Sequence, residues 1–204
     1  MFGARAGRRL AHCRAMQRFE RLVDPAAIER FSARYAEYTH VALPVSYLRQ
    51  GITVGLVRDD GELVGGYALI VRPPYRFAAL VPPATLARCP VSLDAPLGEI
   101  NGVWLAPELR RSPSAVLLWL HFIATAARRS EPVWVYGYNA LHDGLRRLYR
   151  HIRVGTIYEG PLVTSGPLRS IAHAAVEYTS RTRLALAPAL CVGEAWRRCV
   201  SAFA

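Results

Sequence analysis

Residues 98–129 string together a strand, a tight basic turn and a helix, and no other segment restricts the chain as strongly. Glu99, Asn101, Val103 and Leu105 alternate along the first part, which predicts one strand carrying these four side chains on a common face. Pro107 ends that strand. Ser112 stands where a helix N-cap belongs, and Pro113 takes the first helical position, which tolerates a missing N–H. The run from there to Arg129 is apolar nearly all round and predicts a buried helix, with Arg128 and Arg129 complementing its C-terminal dipole. Such a start directs three free backbone N–H groups and the positive helix end beside Arg110 and Arg111. That arrangement favours a phosphate or carboxylate. A strand carboxylate upstream of an anion cradle points to group transfer from a phosphate-bearing donor.

Composition narrows the alternatives. A chain of 204 residues, 52% of them hydrophobic, is large and apolar enough to bury one core. Residues 1–16 are rich in Arg and small residues with no apolar core, so they are expected to form a flexible basic tail rather than a secretory signal. A main domain is expected over 17–165 and a helical extension over 166–204. The apolar stretch from Ala115 to Ala127 is too short to span a bilayer and contains His121, so no membrane is expected.

All 26 basic residues are Arg, and the formal net charge is +11. The missing Lys, beside abundant Ala, Leu, Pro and Gly, matches the codon bias of a GC-rich genome. The excess of positive charge remains and attracts polyanions: nucleic acid, coenzyme A or an acidic carrier protein. No basic run is interleaved with aromatic residues as a nucleic-acid groove would be, which disfavours nucleic acid. Cys13, Cys89, Cys191 and Cys199 show no metal or redox spacing and suit a reducing cytoplasm. His121, inside the apolar helix, reads as a satisfied core histidine, and no metal is expected.

The remaining elements alternate. Gln17–Val23 reads as a strand, and Asp24-Pro25 starts a helix carrying Ile28, Phe31, Tyr35 and Tyr38 at helical spacing. A short helix follows near Pro44. Asp59-Asp60-Gly61 joins two strands as a hairpin. Residues 72–97, rich in proline, read as a long loop with one bulged strand. After the central strand and helix come a strand at Val133–Tyr138, a helix at His142–His151, a strand at Val154–Glu159, and terminal helices from Ser170, with breaks at Gly166-Pro167 and Ala187-Pro188. The fold class is α/β (α+β): a mixed, mostly antiparallel central sheet with helices on both faces.

This order resembles the GNAT acyltransferase superfamily. The family carries Arg/Gln-x-x-Gly-x-Gly/Ala at its strand-to-helix turn, after Pro-Glu. Here Pro107-Glu108 precedes Arg110, and Ala115 and Leu118 match, while Pro113 replaces the first glycine. Gly61-Glu-Leu-Val-Gly65 is similar to the family's third strand, and Leu148-Tyr149-Arg150 to its penultimate helix. The likeness covers roughly residues 17–160. It implies acyl transfer from a phosphopantetheine thioester, as acyl-CoA or acyl-phosphopantetheine, to an amine of a small molecule or peptide. Proline at 113 removes a donor and adds bulk, so the site either leans on Arg110 and Arg111, takes a single phosphate, or binds no nucleotide. Acyl-homoserine-lactone and N-acyl amino acid synthases resemble GNAT folds and draw on an acyl carrier protein, an acidic partner suited to a basic chain.

The resemblance also implies roles for residues. Glu99, eleven positions before Arg110, matches the family's base, which acts through a water; the alternative is a solvated carboxylate at the strand's start. Tyr149 matches the tyrosine that protonates the leaving thiolate, and is otherwise a core aromatic. Val103 and Leu105 would offer backbone groups to pantetheine, with the Val103 N–H as oxyanion donor. Arg110, Arg111, Ser112, Ser114 and Ala115 would hold phosphate. Asn101, Trp104, Tyr136, Tyr138 and Asn139 would line an acceptor or acyl pocket, or the aromatic ones would simply be core. A catalytically degenerate binding or accessory protein is the alternative to an enzyme.

Overall fold

The computed structural model describes residues 16–162 and 171–189. Its strands are β1 (Gln17–Leu22), β2 (Gly51–Arg58), β3 (Leu63–Ile70), β4 (Leu97–Leu105), β5 (Val133–Asn139), β6 (Gly155–Leu162) and β7 (Ile171–Ser180). They form one sheet in the order β1-β2-β3-β4-β5-β7-β6, antiparallel throughout except between β4 and β5. The helices are α1 (Pro25–Thr39), α2 (Val45–Leu48), α3 (Arg76–Leu80), α4 (Pro83–Leu86), α5 (Pro113–Ala127), α6 (Asp143–Tyr149) and α7 over residues 181–189. The mixed, mostly antiparallel α/β sheet flanked by helices on both faces is the expected one.

Local chemistry sets several boundaries. The Asp24 carboxylate accepts from the Ala27 N–H at 3.1 Å and caps α1, with Pro25 next in line. Gly61, at φ +83°, turns the β2–β3 hairpin, its N–H donating to the Arg58 carbonyl at 2.9 Å. Apolar side chains then divide between the two faces. Ile28 and Phe31 of α1, Tyr47 and Leu48 of α2 and Phe77 of α3 cover one face with Ala68, Ile70 and Val135. Leu118, Trp119, Phe122 and Ile123 of α5 cover the other with Tyr67, Leu69, Ile100 and Trp134.

Four expectations are corrected. Residues 72–96 hold no strand, and Leu97 already begins β4; the segment forms α3 and α4, because Pro82 and Pro83 start a helical turn instead of interrupting a ladder. Helix α5 is not buried all round: Leu117 is 57% exposed, since a helix on one face of a sheet covers only one stripe. The chain does not turn helical at Ser170. Residues 171–180 are β7, slotted between β5 and β6, where ladder pairing on both edges overrides the helical preference of its alanines. Pro188 falls inside α7 rather than ending it. Residues 1–15 of the expected tail, the Gly166-Pro167 break, and Cys13, Cys191 and Cys199 lie outside the described residues.

A fifth expectation, on β4, is also corrected, and it matters most for function. Gly66 pairs with Trp104 but Ala68 with Asn101, so Gly102 and Val103 together oppose Tyr67 alone. Gly102, at φ +61°, makes this bulge. Beyond it the side chains change face. Glu99 and Asn101 point toward α2, whereas Val103 and Leu105 pack with the α5 cluster. The four residues therefore do not share a face. A Cβ at Gly102 would stand 3.0 Å from a Leu43 methyl and 3.3 Å from the Phe31 ring, besides holding a positive φ. Gly102→Ala should cost about 1–2 kcal/mol from the left-handed backbone alone, read as a lower urea midpoint; an unchanged midpoint would contradict the bulge.

Candidate active site

Strands β4 and β5 run side by side only from Leu97↔Val133 to Ile100↔Tyr136. Past that pair, Asn101–Leu105 and Gly137–Asn139 have no partner across the shared edge, so the two strands part and leave backbone groups facing a gap. The chain leaves β4 through a 3-10 turn at Pro107–Leu109 and enters α5, whose start therefore lies at the carboxyl ends of the parallel strands. Parallel strands linked by a crossover helix bind ligands at such a place.

Helix α5 begins at Pro113 behind Ser112, as expected. Its N–H groups are not all free, however. Ser114 N–H donates to the Ser112 hydroxyl at 3.2 Å, and Ala115 N–H to the Ser112 carbonyl at 3.1 Å, because a serine N-cap satisfies the donors nearest to it. Both residues remain half-exposed. Arg110 and Arg111 are exposed beside this turn. Arg110 Nε donates to the Leu105 carbonyl at 3.0 Å, which tethers the guanidinium to the end of β4. The other Arg110 nitrogens keep their donors for an anion.

Glu99 is 3% exposed. Its Oε2 accepts from the Tyr47 hydroxyl at 2.7 Å and the Arg76 N–H at 2.8 Å, and its Oε1 from the Phe77 N–H at 2.9 Å. The carboxylate thus caps the N-terminus of α3, which lacks a side-chain cap of its own. Asn101 Nδ2 donates to the same Tyr47 oxygen at 3.1 Å, extending the chain of hydrogen bonds to the start of the gap. Burial pushes Glu99 above its ordinary range, and the three donors oppose that shift without overcoming it.

No family model and no curated protein matches the sequence. Solved structures do. FeeM, an N-acyl amino acid synthase from uncultured soil microbes, aligns at a TM-score of 0.59 and 17% identity over 82% of this chain and 93% of that one. This chain has the GNAT fold. NAA60 of Arabidopsis thaliana, solved with acetyl-CoA, aligns at a TM-score of 0.54 and 11% identity over 81% of this chain and 99% of that one. The protein yncA of Salmonella typhimurium, solved with its cofactor acetyl-CoA, aligns at 0.53 and 11% over 82% and 95%.

Within this GNAT fold, Tyr149 ends α6 and is 5% exposed. Its ring stacks on Tyr136 at 4.7 Å and Tyr138 at 4.9 Å, with Trp119 edge-on at 5.4 Å. Burial raises its phenol first; the Tyr35 and Tyr138 hydroxyls and then Glu177 add to the rise. Tyr35 belongs to α1 on the opposite face.

The expected pocket residues do not come together. Asn101 and Trp104 face α1 and α2, with Trp104 stacked on Tyr38 at 5.2 Å, while Tyr136 and Tyr138 face α5 and α6. The reason is the two-residue period of strands together with the bulge. Asn139 is exposed, and its side chain accepts from the Leu141 N–H at 3.0 Å, so it shapes the turn after β5. Sequence reasoning missed Tyr47, the α3 N-terminus and Glu177. A lone acid inside the apolar run 174–178 was the available signal for Glu177.

His121 is satisfied but only partly buried rather than core, its Nδ1 2.9 Å from the Tyr67 hydroxyl and its ring stacked 3.8 Å from Phe19. Among the described residues, no three His, Cys, Asp or Glu side chains gather as a metal site, and no helix is long and apolar enough to cross a membrane.

A raised carboxyl pKa fixes the sign of a pH effect. Folded Glu99 keeps its proton to higher pH than the unfolded chain, whose carboxyl stays near its ordinary 4.5. Its stabilising contribution is therefore complete below that value and is lost as pH rises through the folded pKa. Glu99→Gln should remove this dependence. The parent's unfolding free energy, measured in urea from pH 4 upward, should fall relative to the variant's; parallel curves would place the Glu99 carboxylate in water.

Proposed function

We propose that this protein is an acyltransferase that moves an acyl group from a phosphopantetheine thioester to an amine. The observation that carries the reading is the gap between β4 and β5 with a serine-capped helix start and two arginines at its mouth, inside a GNAT fold. In this reading the pantetheine arm lies along the free edge of β4 and extends it like an added strand. Its phosphate meets Arg110, Arg111 and the Ser112–Ala115 turn. One phosphate suits this cradle better than two, since Pro113 offers no N–H and Ser112 already engages its neighbours. Acyl-CoA and a carrier-bound acyl-phosphopantetheine both present such a group, and an acidic carrier protein would complement the basic chain.

The chemistry follows from the same residues. The amine nitrogen attacks the thioester carbonyl carbon, and the oxyanion forms near the bulge, where the Val103 N–H stands outside the regular β3 ladder. The amine proton passes to Glu99 through the Tyr47 hydroxyl, which gives its own proton to the carboxylate as it takes the new one. The C–S bond then breaks, and the thiolate takes a proton from Tyr149. An amino acid or a peptide N-terminus fits the acceptor role, because FeeM is an N-acyl amino acid synthase. A second reading, a GNAT-like binding or accessory protein, draws on one observation: the Glu99 carboxylate caps the N-terminus of α3, a structural task.

Calorimetry with coenzyme A and 4′-phosphopantetheine separates these readings. Acyl transfer predicts binding of at least one; binding of neither removes it and leaves the accessory role. Arg111→Ala should weaken donor binding about threefold to tenfold, the size of one charge-assisted contact, with the rate at saturating donor retained. An identical Kd would contradict its role. Tyr149→Phe should slow transfer about tenfold or more from alkyl thioesters and much less from activated aryl thioesters. Equal losses on both would exclude proton donation. Tyr47→Phe should lower kcat without changing the donor KM, and an unaltered kcat would refute the relay.

A further inference from the structure

Glu177 of β7 is 2% exposed and lies directly across from Tyr136 of β5. Its Oε1 accepts from the Tyr138 hydroxyl at 3.1 Å and from Arg153 Nη1 at 3.4 Å. Its Oε2 and the Tyr136 hydroxyl are buried and make no hydrogen bond. Thus Tyr138 is the tyrosine that the carboxylate holds. Tyr149 lies nearly parallel to that ring and to Tyr136, at 22° and 21°. A stacked ring can slide or tilt at little cost unless its neighbours are fixed. Here Glu177 fixes one neighbour, and Trp119 blocks the open edge at 70°. The groups around the carboxylate are Tyr136 and Tyr138 from β5, Tyr149 from α6, Arg153 beyond it and Thr156 across in β6. Burial and then the Glu177 charge push the Tyr138 hydroxyl to about 12, so it stays a donor to the carboxylate at neutral pH.

We propose that Glu177 is a positioning residue for proton delivery: by anchoring Tyr138 it fixes the plane of Tyr149, and with it the direction in which the Tyr149 hydroxyl hands its proton to the departing sulfur. The phenolate left behind regains a proton from solvent after the thiol leaves. This rests on the acyl-transfer reading above and assigns a part to a carboxylate on a strand remote in sequence from the donor loop.

The test is a double-mutant cycle. Single-turnover release of thiol from dodecanoyl-CoA, with a mixture of amino acids as acceptors, is measured in the parent, Glu177→Ala, Glu177→Gln, Tyr149→Phe and the Ala/Phe double variant. Glu177→Ala should slow transfer about tenfold with the donor KM within about twofold, and should cost less than about twofold once Tyr149 is Phe. Glu177→Gln keeps an oxygen for Tyr138 and should fall between parent and Ala. The same loss in both backgrounds, or none with Tyr149 present, overturns the proposal.

Near-ultraviolet circular dichroism reads the tyrosine stack without substrate. The tyrosine band should weaken in Glu177→Ala and in Tyr138→Phe, which breaks the same link if Glu177→Ala fails to fold; an unchanged band overturns the anchoring. A parent that turns over normally as Tyr149→Phe refutes the acid role itself, a result obtained without touching Glu177.

Discussion

Two parallel strands that start together and then separate leave unpaired backbone edges within the sheet, away from its outer strands. Strand β4 is held to β3 along its length, and β5 to β7 along its own, so neither can follow the other once their ladder ends at Ile100 and Tyr136. The bulge at Gly102 falls two residues past that point. Bulges sharpen the local twist and bend the bulged strand, which turns the end of β4 away from β5. Everything proposed about donor binding depends on that divergence: a closed β4–β5 ladder would satisfy the edge internally and leave no room for an extended arm.

The same bulge explains why the sheet's two faces take different tasks. Ahead of it, Glu99 and Asn101 join Tyr47 and α3 on the α1–α3 face. Past it, Val103 and Leu105 join α5. Tyr149 and its stack stand on that second face. An acid–base pair drawn from opposite sides of a sheet can address one reacting centre only through an opening in it, and the gap is such an opening. In the proposed reaction, the pairing of two groups from different faces follows from strand divergence rather than from any local motif.

Much of this was legible in the sequence because its signals are local. Ser112-Pro113 marks the start of α5, Asp24-Pro25 that of α1, and Asp-Asp-Gly the hairpin; each acts through capping or turn chemistry within a few residues. What stayed hidden depends on partners distant in the chain. The β4 bulge is defined by its pairing with β3, and Gly102 alone looks like any strand glycine. Strand β7 is rich in Ala and reads as helix until β5 and β6 flank it. The caps on Glu99 come from residues 22 and 23 positions away, inside a stretch that seemed a loop. The anion cradle was legible in its position but not in its occupancy, since a serine that marks a helix start also consumes the donors it marks.

Two of the buried glutamates, Glu99 and Glu177, show how the fold uses a costly group in different ways. A carboxylate withdrawn from water is tolerated only where donors surround it. For Glu99 these are backbone amides and Tyr47; for Glu177 they are Tyr138 and Arg153. Neither set resembles the other, and the difference matters. Backbone amides cannot move without unwinding α3, so Glu99 is tied to a rigid frame and its only mobile partner is the Tyr47 proton. Glu177 instead grips two flexible side chains and reaches the site only through a stack of rings. Asn101, whose Nδ2 donates to the Tyr47 oxygen, links the first network to the end of the β4–β5 ladder. In the acyl-transfer reading, an acid on β7 therefore belongs to the placing of Tyr149 and an acid on β4 to the taking of the proton.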